Sequence, residues 1–364
     1  MVWDRVIEIA RTRQLSREQT RQYAVELEMC DRVIQTFPRD YQAWKYRSYI
    51  LACDGQYLAA AESYRHTLTL QSHEPRVWCN YGAVLEKIRN FDGALTCYAR
   101  ALQQDPNHFN ALYYKGKNLH RLRRYVKAID CYEQALQIRP NEYKVWHYRG
   151  QALLQLGRLA KAIESFRQAI DIHAQDAQVW MMLGRALLRN HESQAALKAL
   201  DRAIQLNPKN ASVWRYHASV LKAQGCYETA LASLDKATAL KADDNRLWHL
   251  KGLVLIDLER LSEARESLST ALKLQAYSHQ GWLALGWTLQ KMQNYEQAIE
   301  AYNQSLAIEP DQPFIFYNQA RCYAQLNETP WAQEVLNRAV NLAPQYGASI
   351  QKDPVLKRIW QACG

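Results

Sequence analysis

The sequence contains no run of about 18 apolar residues, so no part of it is built to cross a membrane as a helix. Its first residues, Met1 to Gln14, break their apolar positions with Asp4 and Glu8 and lack the continuous stretch of a secretory signal. Cytoplasmic residence is the expectation that follows. The eight cysteines form no CxxC pair and match no zinc-site spacing. They read as small buried hydrophobes in a reducing compartment. No Gly-rich phosphate loop, GxSxG or HExxH occurs, and no stretch is left over for a catalytic domain. The expectation is a chain that is not an enzyme and uses no cofactor or metal.

What the sequence does have is a period. Tryptophan recurs at Trp44, Trp78, Trp146, Trp180, Trp214, Trp248 and Trp282, at gaps of 34 residues or twice 34, with Leu112 at the skipped site and Phe316 one step further. Numbering each unit from three residues before this site puts the tryptophan at position 4. A small residue follows at position 8, as in Gly82, Gly116, Gly150, Gly184, Gly252 and Gly286. Leucine stands at position 11 in eight units, alanine at position 20 in all nine, and an aromatic or leucine at position 24, as in Tyr98, Tyr132, Phe166 and Leu200. Offsets of three and four place these residues on helical stripes. Small residues let two helices approach while large ones fill the space between them. Proline at Pro106, Pro140, Pro208, Pro310 and Pro344 ends the second helix of its unit. Each unit is thus a helix-turn-helix that needs stacked neighbours to bury its apolar faces.

On these residues the chain resembles the tetratricopeptide repeat family. The resemblance implies an all-α fold: an α-solenoid, a right-handed superhelix of nine tandem 34-residue repeats over residues 41–347, whose first helices line the concave side. Residues 1–40 read as a degenerate N-terminal capping hairpin, with Ser16 and Gln19 as a capping box. Residues 348–364 read as a C-terminal capping helix, with Asp353 as N-cap, Pro354 as its first residue, and Val355, Leu356, Ile359 and Trp360 covering the last hairpin.

If the tryptophan stripe packs inward, positions 2, 5, 9, 12 and 13 form the opposite side of the first helix. Over nine units these 45 positions hold thirteen Lys or Arg and two acids, Glu86 and Asp257. That face carries +11, while the whole chain carries +10. A concave wall of one sign concentrates anions. Aromatic and histidine side chains share the stripe. The candidate partner-binding residues are Lys45, Tyr49, Tyr113, Lys117, Arg121, His147, Arg185, Arg189, Arg215, Lys222, Trp287, Lys291 and Arg321. Some members of the family clamp a C-terminal carboxylate with Lys and Asn in three adjacent repeats. Lys45 and Asn80 fit two of those sites, but Tyr49, Asn110 and Tyr114 do not fit the others.

The expected function is a protein-interaction adaptor that takes an acidic or extended protein segment in this groove, with single-stranded RNA as the alternative, because basic and aromatic residues are interleaved. The identity of the partner and the oligomeric state are not written in the sequence. With the tryptophans read as core, Trp180→Ala or Trp214→Ala is expected to cost about 3–5 kcal/mol, measured by thermal or denaturant unfolding.

Overall fold

The computed structural model describes residues 17–361, where all regular structure is helical. Helix α1 (Arg17–Thr36) comes first. It is followed by α2 (Tyr41–Cys53) with α3 (Tyr57–Leu70), α4 (Pro75–Lys87) with α5 (Phe91–Gln104), α6 (Phe109–Arg121) with α7 (Tyr125–Ile138), and α8 (Tyr143–Gln155) with α9 (Leu159–Ile172). The chain divides into two compact units within α10 (Ala177–Arg189), one ending at Ala186 and the other starting at Leu187. The second continues with α11 (Ser193–Leu206), α12 (Ala211–Ala223) with α13 (Tyr227–Leu240), and α14 (Asn245–Asp257) with α15 (Leu261–Leu274). Then come α16 (His279–Lys291) with α17 (Tyr295–Ile308), α18 (Pro313–Gln325) with α19 (Thr329–Leu342), and the short α20 (Tyr346–Lys352) and α21 (Pro354–Gln361). Each unit is a stack of hairpins in which a second helix packs on its own first helix and on the next. This is the α-solenoid architecture. Ser16, and with it the proposed capping box, lies outside the described residues.

The close contact inside each hairpin is between positions 8 and 24. The rings of Tyr98, Tyr132, Phe166 and Tyr302 are fully buried. A Cβ added at Gly116 would lie 2.5 Å from the Tyr132 ring, and one at Gly150 would lie 2.7 Å from Phe166. The ring therefore occupies the space a side chain would have taken, and helix backbones meet through it.

The tryptophans are placed differently from the sequence expectation. They are half-buried, not core. Each indole N–H donates to the backbone carbonyl six residues earlier, in the loop that enters the repeat: Trp44 to Pro38, Trp78 to Ser72, Trp146 to Pro140, Trp180 to Ala174, Trp214 to Pro208, Trp248 to Ala242 and Trp282 to Ala276, at 2.8 to 3.0 Å. The physical reason is the indole's polar edge, which needs an acceptor and finds one at the loop. The large filler between helices is the position-24 side chain.

The turn inside each hairpin also repeats. Position 15 is left-handed in all nine repeats: Gly55, Gly157 and Gly225, but also Arg89, Arg123, His191, Glu259, Gln293 and Asn327 with φ of 58 to 64°. The next N–H bonds back to position 11, as Asn90 to Leu85 at 2.9 Å and Arg124 to Leu119 at 2.8 Å. This is a Schellman-type stop for the first helix.

At the C-terminal end, Asp353 Oδ1 accepts from the N–H groups of Val355 and Leu356 at 3.0 and 3.3 Å. Ile350 and Leu356 are buried against Phe316, Ala320 and Leu336, with Ile359 and Trp360 beside them. Val355 is exposed and takes no part, a correction to the sequence expectation. Of the described cysteines, Cys226 is exposed, because it stands at the turn before α13 and not on a packed face.

Two stability outcomes follow. Phe166→Ala is expected to cost about 3–5 kcal/mol, and Trp180→Ala clearly less, in denaturant unfolding of the full chain. Replacing a left-handed residue by glycine, as in Glu259→Gly or Gln293→Gly, is expected to stabilise by up to about 1 kcal/mol, whereas Gly225→Ala is expected to destabilise by about 1 kcal/mol.

Candidate functional site

In the N-terminal unit, the first helices α2, α4 and α6 enclose a groove of about 590 Å³. Its floor is Tyr49, Tyr64, Val77 and Cys79, and its walls include Lys45, Tyr46, Asn80, Lys87, Asn110 and Tyr114. These are largely positions 2, 5, 6, 9, 12 and 13, so the face opposite the helix-packing side is concave here. Lys45 and Tyr49 of the sequence-derived set stand in this groove.

The cations of this face are held by two kinds of neighbour. Aromatic rings take several of them. Lys117 Nζ lies 5.5 to 5.7 Å from the centroids of Tyr113, Tyr114 and Tyr148. Arg121 covers Phe91 at 4.9 Å, Arg215 covers Tyr216 at 4.3 Å, and Lys291 stands 4.6 Å over Trp287. Such cation–π contacts fix the side chains in place and leave their charge on the surface.

Carboxylates take others. Lys45 pairs with Glu74 at 2.6 Å, Lys222 with Asp257 at 2.7 Å, Arg246 with Asp244 at 2.8 Å and Arg321 with Asp353 at 3.4 Å. Burial pushes the Glu74 carboxyl up, but the bonds from Lys45 and Tyr41 outweigh it and hold the group below the usual carboxylate range. Three of these acids, Glu74, Asp244 and Asp353, are the residue immediately before a helix. Sequence reasoning missed them because it sampled five positions inside the helix and not the cap ahead of it. The signal was there: Asp40, Glu74, Glu142, Asp176 and Asp244 share one register of the 34-residue period. The face is less positive than +11 suggests.

The other candidates fall as follows. Tyr113 and His147 are buried, 7% and 8% exposed, and are not open contact surfaces. Tyr113 meets Tyr148 of the next repeat edge-on at 5.9 Å, and His147 meets Tyr148 at 5.5 Å and Phe166 at 6.0 Å within its own repeat. Arg185 is half-buried in the N-terminal unit. Arg189, Arg215, Lys222, Trp287, Lys291 and Arg321 belong to the C-terminal unit. Trp287 is 36% exposed, the most open of the candidate aromatics.

His147 has a further property. Burial pushes its imidazole down to about 4, against a smaller upward pull from Asp176. Its folded pKa lies below the unfolded value of 6.5, so the unfolded chain binds the proton first. The neutral form's stability is present above pH 6.5 and is lost as pH falls toward 4. Thermal midpoints of the wild type should drop over that window by the equivalent of roughly 3 kcal/mol. In His147→Gln the drop should be shallower, measured side by side by circular dichroism.

Comparison with known proteins agrees with the repeat fold. The tetratricopeptide repeat description matches residues 82–143, 130–177, 148–211, 181–245 and 217–280, and again 279–312. A protein prenyltransferase alpha subunit repeat matches residues 23–54. No curated protein matches the chain. Among solved structures, a tetratricopeptide repeat protein from Parabacteroides merdae is 16% identical over 68% of this chain and 98% of its own, with a TM-score of 0.55. PilF of Pseudomonas aeruginosa is 20% identical over 61% and 97%, with a TM-score of 0.52. YrrB, a TPR protein with an unusual peptide-binding site, is 24% identical over 50% and 94%, with a TM-score of 0.45. The two higher scores share the fold. No described helix is long and apolar enough to cross a membrane. The family matches run in overlapping register over more than half of the sequence, and the chain belongs to the tetratricopeptide repeat family.

Proposed function

We propose that this chain is a non-catalytic adaptor whose first helices hold an extended protein segment carrying acidic residues. The observation that carries this reading is the groove of the N-terminal unit, about 590 Å³, walled by three consecutive first helices. A tyrosine-lined floor suits an apolar anchor, and amide and cationic groups along the walls suit a polypeptide backbone and acidic side chains. Lys117, Arg121, Arg215 and Lys291 supply fixed positive charge to their faces. Electrostatic attraction of this kind speeds encounter and selects partners by sign.

Single-stranded RNA would use the same residues for phosphate contact and stacking. The rings of Tyr113, Tyr114, Tyr216 and Trp287 are already covered by cations, which favours the protein reading, because a stacking platform needs an open ring face.

The test is an affinity pull-down from native lysate, with and without nuclease. It compares wild type with Tyr46→Ala/Asn110→Ala in the groove and with Arg185→Glu/Arg189→Glu/Arg215→Glu. Protein partners that survive nuclease and are lost from either variant support the adaptor. Partners lost on nuclease treatment establish RNA instead, and partners retained by both variants refute binding at these faces. Arg189→Glu alone, the exposed member of the three, should leave the melting temperature within a few degrees, since exposed charges contribute little to stability.

A further inference from the structure

The residue ahead of each first helix in the N-terminal unit follows a pattern with one break. Asp40, Glu74, Glu142 and Asp176 stand at this position, and His108 stands there in the remaining repeat. The row is placed to meet the preceding repeat: Glu74 bonds Lys45, and Asp176 acts on His147. At His108 the carboxylate is missing from the row.

The surroundings of His108 are set up for one. Arg76 and Arg139 both line the groove together with His108, and both of their charges act on its imidazole. Neither guanidinium forms an ion pair among the described residues. Arg139 Cζ stands over Phe109, 4.4 Å from the ring centroid, a cation–π contact that holds the guanidinium in place at the groove. His108 Nδ1 accepts from the Ala111 N–H at 3.2 Å, so Nε2 carries the proton and is a donor. Asp105, the nearby acid, is turned to the Asn107 N–H at 3.1 Å.

Burial holds the His108 imidazole below its usual range, Asp105 opposes this, and Arg76 and Arg139 add to it. It therefore serves as a neutral donor at pH 7.

We propose that Arg76, His108 and Arg139 form a subsite for one Asp or Glu side chain of the bound segment, whose carboxylate completes the row that His108 interrupts. The inference rests on the adaptor reading and makes it specific. Lys45, engaged by Glu74, is not the anion receptor of this groove. Two guanidiniums and an imidazole N–H lining one groove are donors of the kind a carboxylate takes, and an amide isostere would leave their charge uncompensated.

The experiment is a selection of random decapeptides displayed on phage against the full chain, run in parallel on Arg76→Ala/Arg139→Ala and on His108→Asp. His108→Asp supplies the missing acid from the protein itself and should fold normally, because Asp is a good residue ahead of a helix. The expected result is a wild-type consensus with Asp or Glu at one fixed position. In both variants that preference disappears while the rest of the consensus persists. Replacing that Asp by Asn in a synthetic peptide should weaken wild-type binding about five- to tenfold and variant binding less than about twofold. A wild-type consensus without a fixed acid, or an acid preference that survives in both variants, overturns the subsite and leaves the adaptor reading standing. Enrichment of no sequence overturns both.

Discussion

The packing of a position-24 ring or leucine into the space beside a small position-8 residue sets the distance between the two helices of a repeat. Everything else in the chain is positioned by that distance. At Gly116 and Gly150 no Cβ could be added without displacing a buried ring. Because this contact recurs every 34 residues, equivalent positions in neighbouring repeats face neighbouring surfaces. The alanines at positions 20 and 27 keep the second helix slim enough for the next first helix to close over it, as Ala94 and Ala101, both fully buried, illustrate. The stripe on the far side of the first helix stands outside the contact between positions 8 and 24, although several of its members, Tyr113 and His147 among them, are buried. Lys45, Lys117 and Trp287 are stripe residues that keep some exposure.

The period made the hairpins legible before any coordinates, down to the prolines that end their second helices. It did not tell apart two residues that both recur. Tryptophan at position 4 and the ring at position 24 are equally regular, and bulk alone suggested tryptophan as the core. The indole N–H decides the matter, since it draws position 4 to the loop carbonyls. The left-handed turn was hidden for a similar reason. Glycine marks it at Gly55, Gly157 and Gly225, but six other residues accept the same φ, so no single residue type signals it.

The site was legible as a charged face and less so as a set of pairs. Counting position by position found the cations. It could not find Glu74 on Lys45 or Asp353 on Arg321, because those acids belong to caps that precede the helices. Nor could it separate open from closed positions along one stripe. Tyr113 and His147 share position 5 with Lys45, yet both are buried while the lysine stays partly exposed. The electrostatic character of the inner face is thus a balance between two rows, one basic within the helices and one acidic ahead of them.

The seven indoles that reach back to their entry loops give the chain a built-in optical readout. Each reports the joint between one repeat and the loop before it, and all seven share the bond to a loop carbonyl while differing in their other neighbours, as Trp44 on His66 and Trp214 under Lys236 show. When a repeat at either end frays, its indole loses its carbonyl and enters water while those further in keep theirs. Once the other four tryptophans, Trp3, Trp287, Trp331 and Trp360, are replaced by phenylalanine, emission intensity and wavelength count closed joints rather than folded molecules. Gradual unfolding from the ends and all-or-none unfolding become distinguishable by fluorescence alone, with no label introduced.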